Sequence, residues 1–132
     1  MASGNEEVVK KGYELFGKGD LDGLGKIFTD DAVHTFPGKS QVSGTHKGRD
    51  ACFAMYGQLF ELSGGTFKAD LKSTTAKGDD TVVAEHHDSG TRGGKSLDVD
   101  ETLTFTLKDG KIAALDASFA PADQAAVDDF FS

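Results

Sequence analysis

The stretch TVVAEHHDSGTRGGKSLDVDETLTFTLKDGKIAALDASF, residues 81–119, decides the fold. Two turn signals cut it into three runs. Arg92-Gly93-Gly94-Lys95 and Lys108-Asp109-Gly110-Lys111 put glycine where a tight hairpin loop needs a positive φ. A third signal, Lys77-Gly78-Asp79-Asp80, stands just upstream. Together they predict strands over 66–76, 81–92, 96–107 and 111–119. Strands this long in a small domain must twist and curve.

Upstream, Val8, Val9, Gly12, Tyr13, Leu15 and Phe16 recur at helical spacing and predict a helix over 5–17, with Ser3 and Glu6 as a capping box. Asp20 caps a short second helix over 20–28, whose stripe is Leu21, Leu24, Ile27 and Phe28, and Asp30-Asp31 breaks it. Ala32 to Phe36 reads as a short strand closed by Pro37-Gly38, and 39–48 as a polar loop. Arg49 to Leu62 returns to helical period, with Cys52, Phe53, Tyr56, Leu59 and Phe60 on one side. Pro121 opens a last helix over 122–130. The order predicts an α+β architecture: three N-terminal helices packed in a strongly curved antiparallel sheet. Such a sheet makes a cone with an apolar pocket at its open end.

The chain has 132 residues, which predicts one domain spanning 1–132 with one core. Acidic residues outnumber basic ones 22 to 14, for a net charge of −8. No nucleic acid and no anionic membrane is expected as partner, because both need a basic surface. No apolar run reaches the roughly 20 residues of a membrane span, and the N-terminus carries no secretion signal. The single cysteine, Cys52, fits a reducing, cytoplasmic compartment and reads as a buried thiol.

Four ordered segments carry a resemblance: GYELFGKGDLDGLGKIFTDDAVHTFPG (12–38), SGTHKGRDA (43–51), GTRGGKSLDVDETLTF (90–105) and KDGKIAALDASFAPADQAAVDDFF (108–131). In them the chain resembles the SnoaL-like, ketosteroid-isomerase-related branch of the NTF2-like superfamily. The resemblance implies the cone fold, no cofactor, and a sheet-to-sheet homodimer. It includes isomerases, polyketide cyclases, epoxide hydrolases, dehydratases and non-catalytic binders, so it does not choose a reaction. The isomerase's base position corresponds here to Phe36, its helix-one oxyanion tyrosine to Gly12, one place before Tyr13, and its strand aspartate to Thr102. Only the supporting tyrosine of helix three is matched, as Tyr56. A phenyl ring abstracts no proton, so steroid isomerisation is not expected.

Strand alternation places His34 on the face of Phe36, toward the interior, and Ala84, His86 and Asp88 inward together. On the next strand two registers compete. One turns Asp100, Thr102 and Thr104 inward, so that His34, His86 and Asp100 converge as an acid/base site with Asp100, or failing that Asp88, beside His34. The other turns Leu97, Val99, Leu103, Phe105 and Leu107 inward, and Glu101 with them. Under the first register the outer apolar set needs cover, which is the argument for a homodimer through the outer sheet face. The expected catalytic set is thus His34, Asp100 and His86, and the expected ligand lining Tyr13, Phe36, Tyr56, Asp88, Thr102 and Phe119. A three-ligand metal site at His34, His86 and Asp100 is weighed and no metal is expected. The implied ligand is a small apolar metabolite, turned over by cofactor-independent acid/base chemistry. The alternative is a non-catalytic ligand-binding or dimerisation module on the same cone.

Overall fold

The computed structural model describes residues 2–132, with side chains from residue 4 onward. Helix α1 (Ala2–Gly17) and helix α2 (Leu21–Ile27) lead into β1 (Phe28–Phe36) and β2 (Gly44–Lys47). Helix α3 (Arg49–Leu62) follows, then β3 (Lys68–Lys77), β4 (Thr81–Arg92), β5 (Lys95–Lys108), β6 (Lys111–Ser118) and α4 (Pro121–Phe130). The single sheet has the order β2-β1-β6-β5-β4-β3. Three corrections to the sequence reading follow. The sheet is mixed, because β1 pairs parallel with β6. The polar loop contains a short strand, β2, paired antiparallel with β1 from Val33↔Lys47 to Phe36↔Gly44. The second helix ends at Ile27, and β1 begins at Phe28 rather than Ala32, running through exposed Asp30 and Asp31 at a register irregularity between Phe28 and Val33. The expected cap at Ser3 falls inside α1, and its side chain lies outside the described residues.

Turn chemistry explains the meander. Gly93 (φ 53°) and Gly94 (φ 90°) both adopt positive φ, as do Asp109 (φ 53°) and Gly110 (φ 78°). That pairing matches the right-handed twist of the flanking strands. At α2, Asp20 accepts a hydrogen bond from Gly23 N at 2.9 Å.

The decisive register lies between β4 and β5, which pair without interruption from Thr81↔Thr106 to Arg92↔Lys95. Leu97, Val99, Glu101, Leu103, Phe105 and Leu107 are buried, while Asp98 and Asp100 are exposed. The second register therefore holds. No bulge intervenes between Val99 and Glu101, so simple alternation carries through. The apolar set packs into the core, and with that the argument for an outer-face homodimer falls, since the apolar set it was meant to cover is not exposed.

Helix α4 docks through Val127, Phe130 and Phe131, all buried. The loop after β1 meets it at Gly38, where φ is 103° and an added Cβ would lie 2.1 Å from Asp128 Oδ1 and 2.3 Å from Gln124 Nε2. Gly38→Ala should therefore cost about 1–3 kcal/mol. Urea unfolding checks this; a variant as stable as wild type would mean the loop relaxes freely.

Candidate functional site

The concave face of the sheet and helices α1–α3 line a cavity of about 70 Å³. Ligand pockets are commonly several times larger, so the unfilled site is tight. Most of its wall is aromatic and aliphatic, from Phe16, Phe28, Phe36, Met55, Leu59 and Phe105 among others. Six polar side chains interrupt that wall: Tyr13, His34, Tyr56, His86, Asp88 and Glu101.

They form two groups. In the first, His86 on β4 stands opposite Glu101 on β5. Its Nε2 lies 2.9 Å from Asp88 Oδ1 and 3.1 Å from Glu101 Oε1. All three are buried, at 3%, 2% and 5% exposure. Asp88 Oδ1 has no hydrogen-bond partner despite that approach, so the ring N–H does not point along the contact. On the other ring nitrogen, Nδ1 sits 2.5 Å from the Tyr13 hydroxyl. Burial penalises the charged imidazole, but the carboxyls of Asp88 and Glu101 beside it outweigh that and push the His86 pKa up to about 10. Burial raises the Glu101 carboxyl well above the carboxylate range, and the Asp88 charge adds to this against the pull of His86. Burial, with Glu101 and Asp88, likewise raises the Tyr13 hydroxyl. An isolated buried charge is expensive, so the favoured state balances charge. One imidazolium, one carboxylate and one carboxylic acid satisfy that count, and burial favours the acid form at Glu101.

The second group is His34 with Tyr56. His34 Nδ1 lies 2.7 Å from the Tyr56 hydroxyl, and Nε2 has no partner. Burial lowers the His34 pKa, with His46 and His86 adding to the effect, to about 3. The ring is neutral at any physiological pH. Burial also holds the Tyr56 hydroxyl well above its usual range.

Six of the expected residues line the cavity: His34, His86, Asp88 and Phe36 from their strands, and Tyr13 and Tyr56 from their helices. Asp100 does not. It is exposed on the outer face, opposite His87. His87 Nδ1 lies 2.8 Å from Asp100 and its Nε2 contacts Asp98. Lys72 Nζ adds a contact to Asp100 at 3.3 Å. The hydrogen bonds that Asp100 accepts from His87 and Lys72 lower its pKa, and those that His87 donates to Asp100 and Asp98 raise that of the imidazole. Among the described residues no carboxylate pairs with His34, so the expected His34–Asp100 couple is absent, and with it the three-ligand set His34, His86 and Asp100. Thr102 and Phe119 also leave the site. Both line a separate depression beside Lys72 and Ser118, although the Phe119 ring packs against Phe36 at a tilt of 60° with centroids 5.7 Å apart. Arg92 at the β4–β5 turn ties down the C-terminus: its Nη1 donates to Phe130 O and Ser132 O, each at 2.8 Å. Arg49 pairs with Asp30 at 3.1 Å. Cys52 is buried, and burial raises its thiol pKa.

Glu101 is the cavity residue that residue-type reasoning passed over. Its signal was the alternation of its apolar neighbours Leu97, Val99, Leu103 and Phe105. The resemblance placed the oxyanion groups one residue away, at Gly12 and Thr102; the side chains in the cavity wall are Tyr13 and Glu101. His86, Asp88 and Glu101 also bring one nitrogen and two carboxylate oxygens within 4.8 Å of one another, a donor set that a divalent ion could use.

Known proteins agree with this architecture. Bal32a, from a soil-derived mobile gene cassette, is 37% identical, with a TM-score of 0.95 and 99% of this chain and 98% of that one covered. A protein of unknown function with a cystatin-like fold from Xanthomonas campestris is 30% identical, with a TM-score of 0.89, covering 97% and 98%. The uncharacterized protein Rv0034 of Mycobacterium tuberculosis is 29% identical over 126 residues, which is 96% of this chain and 95% of that protein. The sequence profile of the SnoaL-like domain matches residues 9–115. With the fold, the cavity and this match in agreement, the chain belongs to the SnoaL-like family of NTF2-like proteins.

Proposed function

We propose that this protein is a cofactor-independent acid/base catalyst, of the isomerase, cyclase or hydrolase kind, acting on a small, mostly apolar metabolite in the cavity. One observation carries the reading: two buried carboxyls meet a buried imidazolium in an otherwise apolar wall. Groups with perturbed protonation in a cavity are what proton transfer needs. Glu101 is the acid, since burial raises its carboxyl well above the usual carboxylate range. Asp88, with its unpartnered Oδ1, is the matching acceptor. His86 holds the positive charge that keeps this pair workable, and Tyr13 fixes its ring. We assign the cluster to a proton rather than to a divalent ion because the balanced charge count is reached without one. Steroid isomerisation stays outside the proposal, because Phe36 occupies the position of that family's base. A cytoplasmic setting is part of the proposal, on the reduced, buried Cys52.

The test is α-proton exchange in D2O for small ketones and enones, and ring opening to the diol for small epoxides, both followed by NMR. Glu101→Gln and Asp88→Asn should each lower the rate about 10²-fold or more. Equal rates in wild type and both variants would sink the acid/base reading. Binding without turnover of any of these compounds would replace it with the non-catalytic binder.

A further inference from the structure

We propose that His34 presents a fixed Nε2–H to an oxygen of the bound molecule, with Tyr56 holding the tautomer, and that the ligand is a small apolar carbonyl compound. The inference rests on the reading of this cavity as a ligand site and assigns the substrate class.

The argument is an inventory of protons. Tyr56 O–H and His34 Nδ1 share one hydrogen bond of 2.7 Å, and both side chains are buried. Were Nδ1 the donor, the Tyr56 proton would have no acceptor and the Nε2 lone pair would also go unused. Were Tyr56 the donor, only Nε2–H would remain unpaired. Buried polar groups are paired wherever geometry allows, so Tyr56 donates and Nε2 carries the hydrogen. That leaves a neutral donor in an apolar wall, with no protein acceptor.

The donor selects its partner. A carbonyl oxygen only accepts, so it pairs completely with a donor-only patch of apolar wall. An ammonium would meet donor with donor. An alcohol would bring a hydrogen of its own that needs an acceptor among Phe36, Tyr56 and their neighbours. A neutral imidazole N–H is also a suitable group to hold an oxygen on which negative charge develops. In the unfilled site Nε2 exposes essentially no surface, so a ligand reaches it by moving the surrounding side chains outward.

Two measurements test this without any turnover. The first is the imidazole ¹⁵N spectrum of the free protein. It should show Nε2 protonated and Nδ1 as acceptor, and Tyr56→Phe should release the ring into a mixture of tautomers. A merely structural tyrosine would leave the tautomer unchanged. The second is titration with carbonyl-¹³C cyclohexanone, with cyclohexanol and cyclohexylamine alongside. The ketone should bind in preference to the other two. Its carbonyl resonance in the wild-type complex should lie downfield of that in His34→Phe, which should bind about tenfold more weakly. His34→Gln, which keeps an N–H near Nε2, should restore both. An Nδ1–H tautomer overturns the proposal. So does an identical carbonyl shift in wild type and His34→Phe, or failure of the ketone to bind at tens of millimolar. Should Glu101→Gln leave rates unchanged while these results hold, the acid/base reading falls and the oxygen anchor stands.

Discussion

Stability should fall steadily as pH rises above 6.5, by about 1.4 kcal/mol per pH unit for each proton that the folded protein keeps and the unfolded chain has lost. The His86 pKa is raised from 6.5 to about 10 on folding. Its contribution is therefore complete below pH 6.5 and is lost progressively up to about 10. Glu101 is also raised, so its contribution is complete below 4.5 and declines above that. His34 has the opposite sign. Its pKa is lowered to about 3, so its contribution is complete above 6.5 and is lost as pH falls toward 3. Between 4.5 and 6.5 the Glu101 and His34 terms oppose each other; above 6.5 His86 and Glu101 act together. Urea midpoints measured from pH 5 to 9 should be level on the acid side and drop on the alkaline side. His86→Gln should reduce the alkaline slope by one proton. A wild-type midpoint that stays constant from pH 6.5 to 9 would exclude a charged buried His86.

Phe130→Ala should remove about 3–5 kcal/mol, a large part of the stability of a domain this size. Phe130 is 1% exposed and packs edge-on against Phe131 at 4.8 Å. Its Cζ also reaches within 3.5 Å of the Cβ position of Gly90 on β4. The cavity left by the ring has nothing to refill it, because the backbone there is tied down. Arg92 holds Phe130 O, and Gln41 N donates to Phe131 O at 3.1 Å. The denaturant midpoint should fall with little change in slope. Phe53→Ala, at a half-buried position on α3, should cost distinctly less. Equal losses at the two positions would mean that α4 is not part of the cooperative unit.

The chain's local signals were sufficient for its elements. Arg49 to Leu62 is a helix over the span its apolar spacing implies, and the three hairpin turns fall where glycine stands. What failed was long-range. The parallel partnership of β1 with β6 leaves no mark in either segment, because pairing partners are set by the path of the chain. Strand β2 escaped because Gly44–Lys47 has four polar or glycine residues and takes its order from β1. The site was half legible for a related reason. His34 and His86 are polar residues at apolar positions of their strands, which alternation exposes. Glu101 obeys the same rule, but choosing Asp100 required Leu97, Val99 and Leu103 to face outward, and they are buried in the core. The tautomer of His34 and the shared proton of Glu101 depend on neighbours brought together only by folding.

The pairing of β1 with β6 has a further consequence, for the order of folding. Each rung of the β3–β6 meander joins residues a short distance apart along the chain, so those hairpins close with little entropic loss. Val33 and Ala114, by contrast, are partners 81 positions apart. Loop closure over that distance is rewarded only once the meander presents a finished edge, so β1 joins late. His34 rides on β1, while His86, Asp88 and Glu101 belong to the early-formed part. The carboxyl pair is thus built first and the cavity is closed over it last, when the first strand docks and brings the opposite wall into place.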